Sequence, residues 1–158
     1  MDNQLKSTIK SFLTKGKIAE REFSSLFNNV VTSTEEEDMK GHFDLKVVTK
    51  IDVKGLKKIR RNDSEVNENY HYLEIKSVNG QLGWLYAEEV DCFAFELKNY
   101  WIVVDKTSLQ ELVKESVKKE YTPNPQPYKL YQRSGRKDVM TLISSYDLCY
   151  LAMSIIKK

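Results

Sequence analysis

Five short segments rich in β-branched and aromatic residues follow one another between residues 42 and 105: HFDLKVV, KIDVKGL, YHYLEIKSV, CFAFEL and YWIVVD. Such side chains suit a pleated, half-buried surface, and each run has the length of a strand. Helical spacing lies on either side. Leu5, Ile9, Phe12 and Leu13 recur on one face of residues 4–14, and Ala19, Phe23, Leu26, Phe27 and Val30 on one face of residues 17–31. TSLQELVKESVKK predicts a further helix, capped at Thr107 or Ser108 with Glu111 placed for a capping box, and YDLCYLAMSIIKK predicts a terminal one. Strands in a run with helices at the ends predict an α+β or mixed three-layer fold.

The connections are specific. HFDLKVV and KIDVKGL have a short link and read as a β-hairpin. TSTEEED reads as a polar connection and KKIRRNDSEVNEN as a charged loop. Asn79-Gly80 ends the third strand in a turn, and GQLGWLYAEEV reads as a short helix or turn. TPNPQP holds all three prolines and divides residues 1–121, the expected core, from residues 122–158, a linker, a basic hairpin and a helix packed on the same domain.

The chain has 158 residues, enough for one domain with a moderate core. No apolar run reaches the length of a membrane span and no signal peptide opens the chain, which predicts a cytosolic protein without a membrane partner. Cys92 and Cys149 lack metal-ligand spacing and read as packed thiols. With only His42 and His71, a histidine-based zinc site is not expected. Net charge is only +2, but it is segregated. Lys46, Lys50, Lys54, Lys57, Lys58, Arg60 and Arg61 fall in one run, and Lys129, Arg133, Arg136 and Lys137 in a second. Charge distributed this way suits either a face that grips phosphates or ordinary solvated surfaces.

Two carboxylates and a lysine stand among the apolar residues of the first strand pair. Asp52 and Lys54 are two apart and project from one face, with Val53 expected to point into a core. Across a compact hairpin, Asp44 would approach Asp52. That grouping suits Mg²⁺, a hard cation that takes a few carboxylates together with waters and phosphate oxygens, with the lysine stabilising charge at the reacting phosphate. The same residues also fit a surface hairpin with an Asp52–Lys54 salt bridge. Glu20 and Glu22 flank the two edges of the apolar face of the second helix, and periodicity does not choose between them. Glu74-x-Lys76 in YLEIKS is an alternative pair, with Asp52 as its aspartate.

A helix with Glu, then a hairpin with Asp and (Asp/Glu)-x-Lys, resembles the PD-(D/E)xK nuclease superfamily. KGKIAEREF is similar to the opening of archaeal Holliday-junction resolvases, a resemblance that selects Glu20 over Glu22. It spans residues 15–55; Phe43 stands where proline is frequent, and the segment after Lys54 does not follow the resolvase pattern. The resemblance implies a restriction-endonuclease-like core, a central mixed sheet flanked by helices. It implies Mg²⁺, with Mn²⁺ as a substitute, on Glu20, Asp44 and Asp52, and Lys54 as the fourth catalytic residue. The implied activity is endonucleolytic hydrolysis of DNA, branched or duplex, by a homodimer, and a phage source would suit it. A non-catalytic binding module or protein-interaction domain is the alternative. Expected nucleic-acid contacts are Lys57, Lys58, Arg60 and Arg61 in the charged loop, Lys76 and Trp84 beyond it, and Arg133, Arg136 and Lys137 around Gly135.

Overall fold

A computed structural model of the chain describes residues 30–41 and 45–158. The chain divides into two compact units, residues 1–49 and 50–158. In the first, β1 (Val30–Thr32) pairs antiparallel with β2 (Leu45–Val47). Val30 and Val31 thus belong to a strand rather than to the end of the helix expected over 17–31; both are β-branched and join a backbone ladder. TSTEEED is also more than a connection: α1 (Glu35–Gly41) starts within it. Thr34 Oγ1 accepts from the Glu37 N–H at 3.2 Å, and Glu37 Oε2 accepts from the Thr34 N–H at 3.1 Å, a reciprocal capping box. The first helix and most of the second, with Glu20 and Glu22, lie outside the described residues, as do His42, Phe43 and Asp44.

The second unit is α+β, with two four-stranded sheets where one central sheet was expected. The first runs β10 (Ala152–Lys157), β6 (Tyr100–Asp105), β5 (Cys92–Glu96), β3 (Ile51–Lys54). The second runs β4 (Tyr70–Lys76), β9 (Val139–Ser144), β8 (Lys129–Gln132), β7 (Lys118–Thr122). Both are mixed: β3 lies parallel to β5 and β7 parallel to β8, and the other neighbours are antiparallel. Residues after Thr122 supply β8, β9 and β10 to these sheets.

Two expectations change here. The partner of β3 is β5, in the register Asp52↔Phe93 and Lys54↔Phe95, instead of a hairpin strand at 42–48. The terminal helix is short: α3 (Ser145–Tyr150) ends at Leu151, and the chain continues as β10 along β6. The apolar positions Leu148, Leu151, Ala152, Ile155 and Ile156 do match a helical period, but the open edge of β6 offers a ladder to the last of them. The helix α2 (Lys106–Ser116) forms as expected with a different cap. Asp105 accepts from the Ser108 N–H at 2.9 Å, so the cap precedes Thr107 and Glu111 falls outside the capping box.

One core joins the two sheets. Phe93, Phe95, Ile102 and Val104 project from the first sheet, Leu73 and Ile143 from the second, and Leu109, Leu148 and Leu85 close it from α2, α3 and a 3-10 turn at Trp84–Tyr86. Each fully buried Phe or Leu contributes about 2–3 kcal/mol through the area it removes from water. The other face of the first sheet carries a small cluster of Cys92, Ala94 and Val103. Val53, expected in a core, is 58% exposed: it lies beside Ala94, on the face of the sheet away from the main core. Cys92 is buried as expected, whereas Cys149 is exposed on α3. No helix among the described residues is long and apolar enough to cross a membrane.

Candidate functional site

The β3 strand ends at Lys54, and the charged loop that follows folds toward β4. Glu96 fixes its start by accepting from the Leu56 N–H at 2.9 Å. The Tyr72 hydroxyl holds its middle, donating to the Ile59 carbonyl at 2.6 Å. The β8–β9 hairpin stands on the other side, with Gly135 at its tip in the left-handed region at φ 73°. Register places Glu74, Met140 and Tyr131 in one row across β4, β9 and β8.

Between loop, β4 and hairpin lies a cleft of about 520 Å³. Its walls carry six cations (Lys54, Lys57, Lys58, Arg61, Arg133 and Arg136) and one carboxylate, Glu74. Tyr70, Tyr72, Tyr131, Trp84, Phe95, His71 and Met140 supply most of the remaining surface, with Gly55 and Ile59. Arg60 and Arg61 line an adjoining recess with Asn124 and Pro125. A low-dielectric wall beside several like charges focuses a positive potential into such a cleft.

The cations are not equivalent. Lys54 Nζ lies 2.7 Å from Asp52 Oδ2 and 4.0 Å from the centre of the Trp84 ring, so it makes both an ion pair and a cation–π contact. Arg133 donates from Nε at 2.6 Å to Asp138, a fully buried carboxylate. Among the described residues, Lys57, Lys58, Arg61 and Arg136 make no ion pair, which leaves four cations able to take an anion without breaking one. Lys46 pairs with Glu37 and Lys50 with Glu89.

Six of the expected nucleic-acid contacts gather here: Lys57, Lys58, Arg61, Trp84, Arg133 and Arg136. Arg60 is next door, while Lys76 and Lys137 are elsewhere on the surface. The register shifts between Glu74 and Lys76, so the alternative pair is parted: Glu74 lines the cleft and Lys76 is exposed outside it. Lys137 packs beside Gly80. His71, Tyr70 and Tyr72 are also cleft walls. The alternation of Tyr70, His71 and Tyr72 was visible in the chain, but nothing local says that a loop covers their strand.

No protein family, curated protein or solved structure matches this chain.

The donor chemistry for a hard cation is present only in part among the described residues. No three His, Cys, Asp or Glu side chains cluster there to hold a metal ion. Asp52, partly open to solvent beside Lys54, and Glu74 in the cleft are carboxylates of the kind Mg²⁺ takes along with waters and phosphate oxygens. Glu20 and Asp44, the other expected ligands, lie outside the described residues.

Burial sets the protonation of two cleft groups. It drives the Tyr72 hydroxyl up to about 12, with Tyr131 and Asp63 adding to the effect. It drives His71 from the ordinary 6.5 down to about 4. His71 is 6% exposed and packs edge-on to Phe95 at 5.3 Å, where a charged ring would lose its hydration. The folded unit therefore holds a neutral imidazole, whereas the unfolded chain takes up a proton below about 6.5. Between about 4 and 6.5 the unfolded state binds more protons, so stability is full above that window and falls as pH drops through it. The expected loss from this one group is about 3 kcal/mol. Urea unfolding of wild type and His71→Phe at pH 7 and pH 4 checks it: the variant should lose about 3 kcal/mol less, and equal losses would show that His71 does not carry the effect.

Proposed function

We propose that this chain is a metal-dependent nuclease of the PD-(D/E)xK type with a restriction-endonuclease-like core, acting on branched or duplex DNA. The observation that supports it most is the position of Lys54, paired with Asp52 and lining a cleft with five further cations. In this reading Asp52, with Glu20 and Asp44, would hold Mg²⁺, for which Mn²⁺ could substitute. Bound metal supplies neutralisation of charge at the scissile phosphate and a more acidic water. Lys54 would orient the attacking water and face the charge that develops on the phosphate. Lys57, Lys58, Arg61 and Arg136 position the sugar–phosphate chain. Two symmetric cuts in a branched duplex need two sites, so a homodimer belongs to this reading.

The test is direct. Labelled four-way junction, linear duplex and single strand are incubated with the full chain in Mg²⁺, Mn²⁺ or EDTA. Cleavage in either metal and none in EDTA is the expected result. A chain that leaves all three substrates intact in both metals would sink the nuclease reading.

A second reading keeps the nucleic-acid cleft without hydrolysis, and the two contacts that already engage Lys54 favour it. Both readings share a salt dependence. With four cations free for phosphate, the slope of log K against log salt should be near −4 on duplex DNA, and Lys58→Ala should make it shallower by about 1. A slope near zero would remove nucleic acid as the ligand and leave a protein-interaction domain.

A further inference from the structure

Four strands end the two sheets, and three of them are guarded. Charged side chains stand on β3 (Asp52 and Lys54) and on β7 (Lys118, Lys119 and Glu120). The turn before Trp84 lies along β4, where the Gly83 N–H donates to the Ile75 carbonyl at 2.9 Å. The β10 strand reads AMSIIK, with no charge before Lys157 and no proline, and its one irregularity is at its start, between Ala152 and Ser154. Among the described residues its outer edge pairs with no strand. Met153, Ile155 and Ile156 are each more than half exposed, and Tyr146 and Tyr150, one turn apart on α3, are 80% and 85% exposed. A bare apolar edge pairs with a further strand unless charge, proline or a covering segment prevents it. Contiguous exposed apolar side chains likewise mark an interface.

We propose that β10 pairs antiparallel with β10 of a second copy of this chain, about a twofold axis at Ile155, joining the first sheets of the two copies into one of eight strands. This gives the homodimer above its surface, and it rests on the nuclease reading for the choice of a second copy as partner. The ladder supports the register. The Lys158 N–H donates to the Asn99 carbonyl at 3.0 Å. Paired groups alternate along an antiparallel strand, so Ile156 and Ser154 also turn their backbone groups to β6, and Ile155 and Lys157 turn theirs to the open edge. At the axis the N–H and C=O of Ile155 meet the same groups of the other copy. Ile155 then faces Ile155, and Ile156 faces Ser154. Charge fits as well. The antiparallel sense keeps the two Lys157 side chains apart and sends each to the start of the other strand, where Tyr150 and Tyr146 offer aromatic faces to an ammonium. Lys157 makes no ion pair among the described residues. Centred likewise, β7 would set Glu120 on Glu120. The two tyrosines offer roughly 300 Å² to a partner, and with the three aliphatic side chains and the strand edge the patch reaches about 600 Å² per copy, the low end for a specific interface.

Sedimentation equilibrium of the full chain at tens of micromolar tests it. Wild type should be a dimer. Ile155→Lys sets two ammonium groups at the axis and should weaken association at least about tenfold, with circular dichroism unchanged, while Leu82→Lys, a change at an exposed apolar residue elsewhere, leaves the dimer intact. A second variant does not depend on how Ile155→Lys folds. In a Cys149→Ser background, which removes the exposed thiol, a short bismaleimide should link Ile155→Cys chains in pairs and leave Leu82→Cys chains single. A monomeric wild type overturns the proposal, and protection of its Ile155 amide from hydrogen exchange would then assign the edge to another segment of the chain. Assemblies larger than two overturn the twofold. A dimer indifferent to Ile155→Lys, with no linkage of the Ile155→Cys chains, overturns this surface and places the contact elsewhere. The nuclease reading fails separately. A dimer that depends on Ile155 but cleaves nothing supports the surface and removes the nuclease, whereas cleavage by a monomer does the reverse.

Discussion

Lys54→Ala is expected to slow metal-dependent cleavage by about 10²–10³-fold, the range for loss of one preorganised charge at a reacting centre. Lys54 is placed by three things at once. The β3–β5 ladder sets its face, Asp52 lies 2.7 Å from Nζ, and the Trp84 ring supports Nζ at 4.0 Å. Its side chain is 19% exposed and that of Asp52 30% exposed, so the pair is partly screened and contributes at most about 1 kcal/mol to folding. The variant should therefore fold as wild type does, and a loss of activity is not a loss of structure. Asp52→Ala should lose comparable activity for a different reason, and calorimetric titration separates the two. Metal affinity should fall in Asp52→Ala and persist in Lys54→Ala. Cleavage by Lys54→Ala at the wild-type rate would remove Lys54 from the chemistry and favour the reading in which it only braces Trp84.

Gly83→Ala is expected to destabilise the second unit by about 4 kcal/mol, at the upper end for a single added methyl. A Cβ at Gly83 would lie 2.2 Å from the Glu74 carbonyl oxygen and 2.6 Å from its carbon, both backbone atoms of β4. A side-chain tip could swing away, but a strand paired along its other edge with β9 cannot. The close approach exists because the Gly83 N–H donates to the Ile75 carbonyl at 2.9 Å and brings Trp84 beside Phe93 and Phe95. For a unit of this size the midpoint of thermal unfolding should drop by about 20 °C, read by circular dichroism. A drop of only a few degrees would mean that the turn can move off β4. The Trp84–Lys54 contact would then also be expected to shift, visible as a change in tryptophan emission.

Much of the second unit was legible residue by residue. The strands β4, β5 and β6 lie where β-branched and aromatic runs put them, and the Asn79-Gly80 turn and the hairpin around Gly135 follow from turn chemistry. These signals are local: a pleat needs period two, and a left-handed turn needs glycine. Within GQLGWLYAEEV, read as a short helix or turn, Gly83 makes a close backbone approach to β4. Pairing was not legible. IDVK reads as the same strand whichever neighbour it takes, and the short link near Val48–Thr49 suggests a hairpin, while the ladder formed is parallel to β5 across a connection that carries β4. The tail AMSIIK satisfies both a helical and an extended pattern, and only the open edge of β6 decides it.

For the site the division is similar. Residue types and local alternation determined that Asp52 and Lys54 share a face, that basic residues concentrate at 54–61 and 133–137, and that Trp84 stands in a turn. Only the tertiary structure decided that the loop folds over β4, so that Lys54, His71, Tyr131 and Arg136 come to line one cleft while Lys76 and Lys137 do not. Covalent neighbours fix which way a side chain points along its own strand. Which strands become neighbours depends on the packing of Phe93, Phe95, Leu73 and Ile143 between two sheets, contacts far apart in the chain whose gain is summed over the whole core.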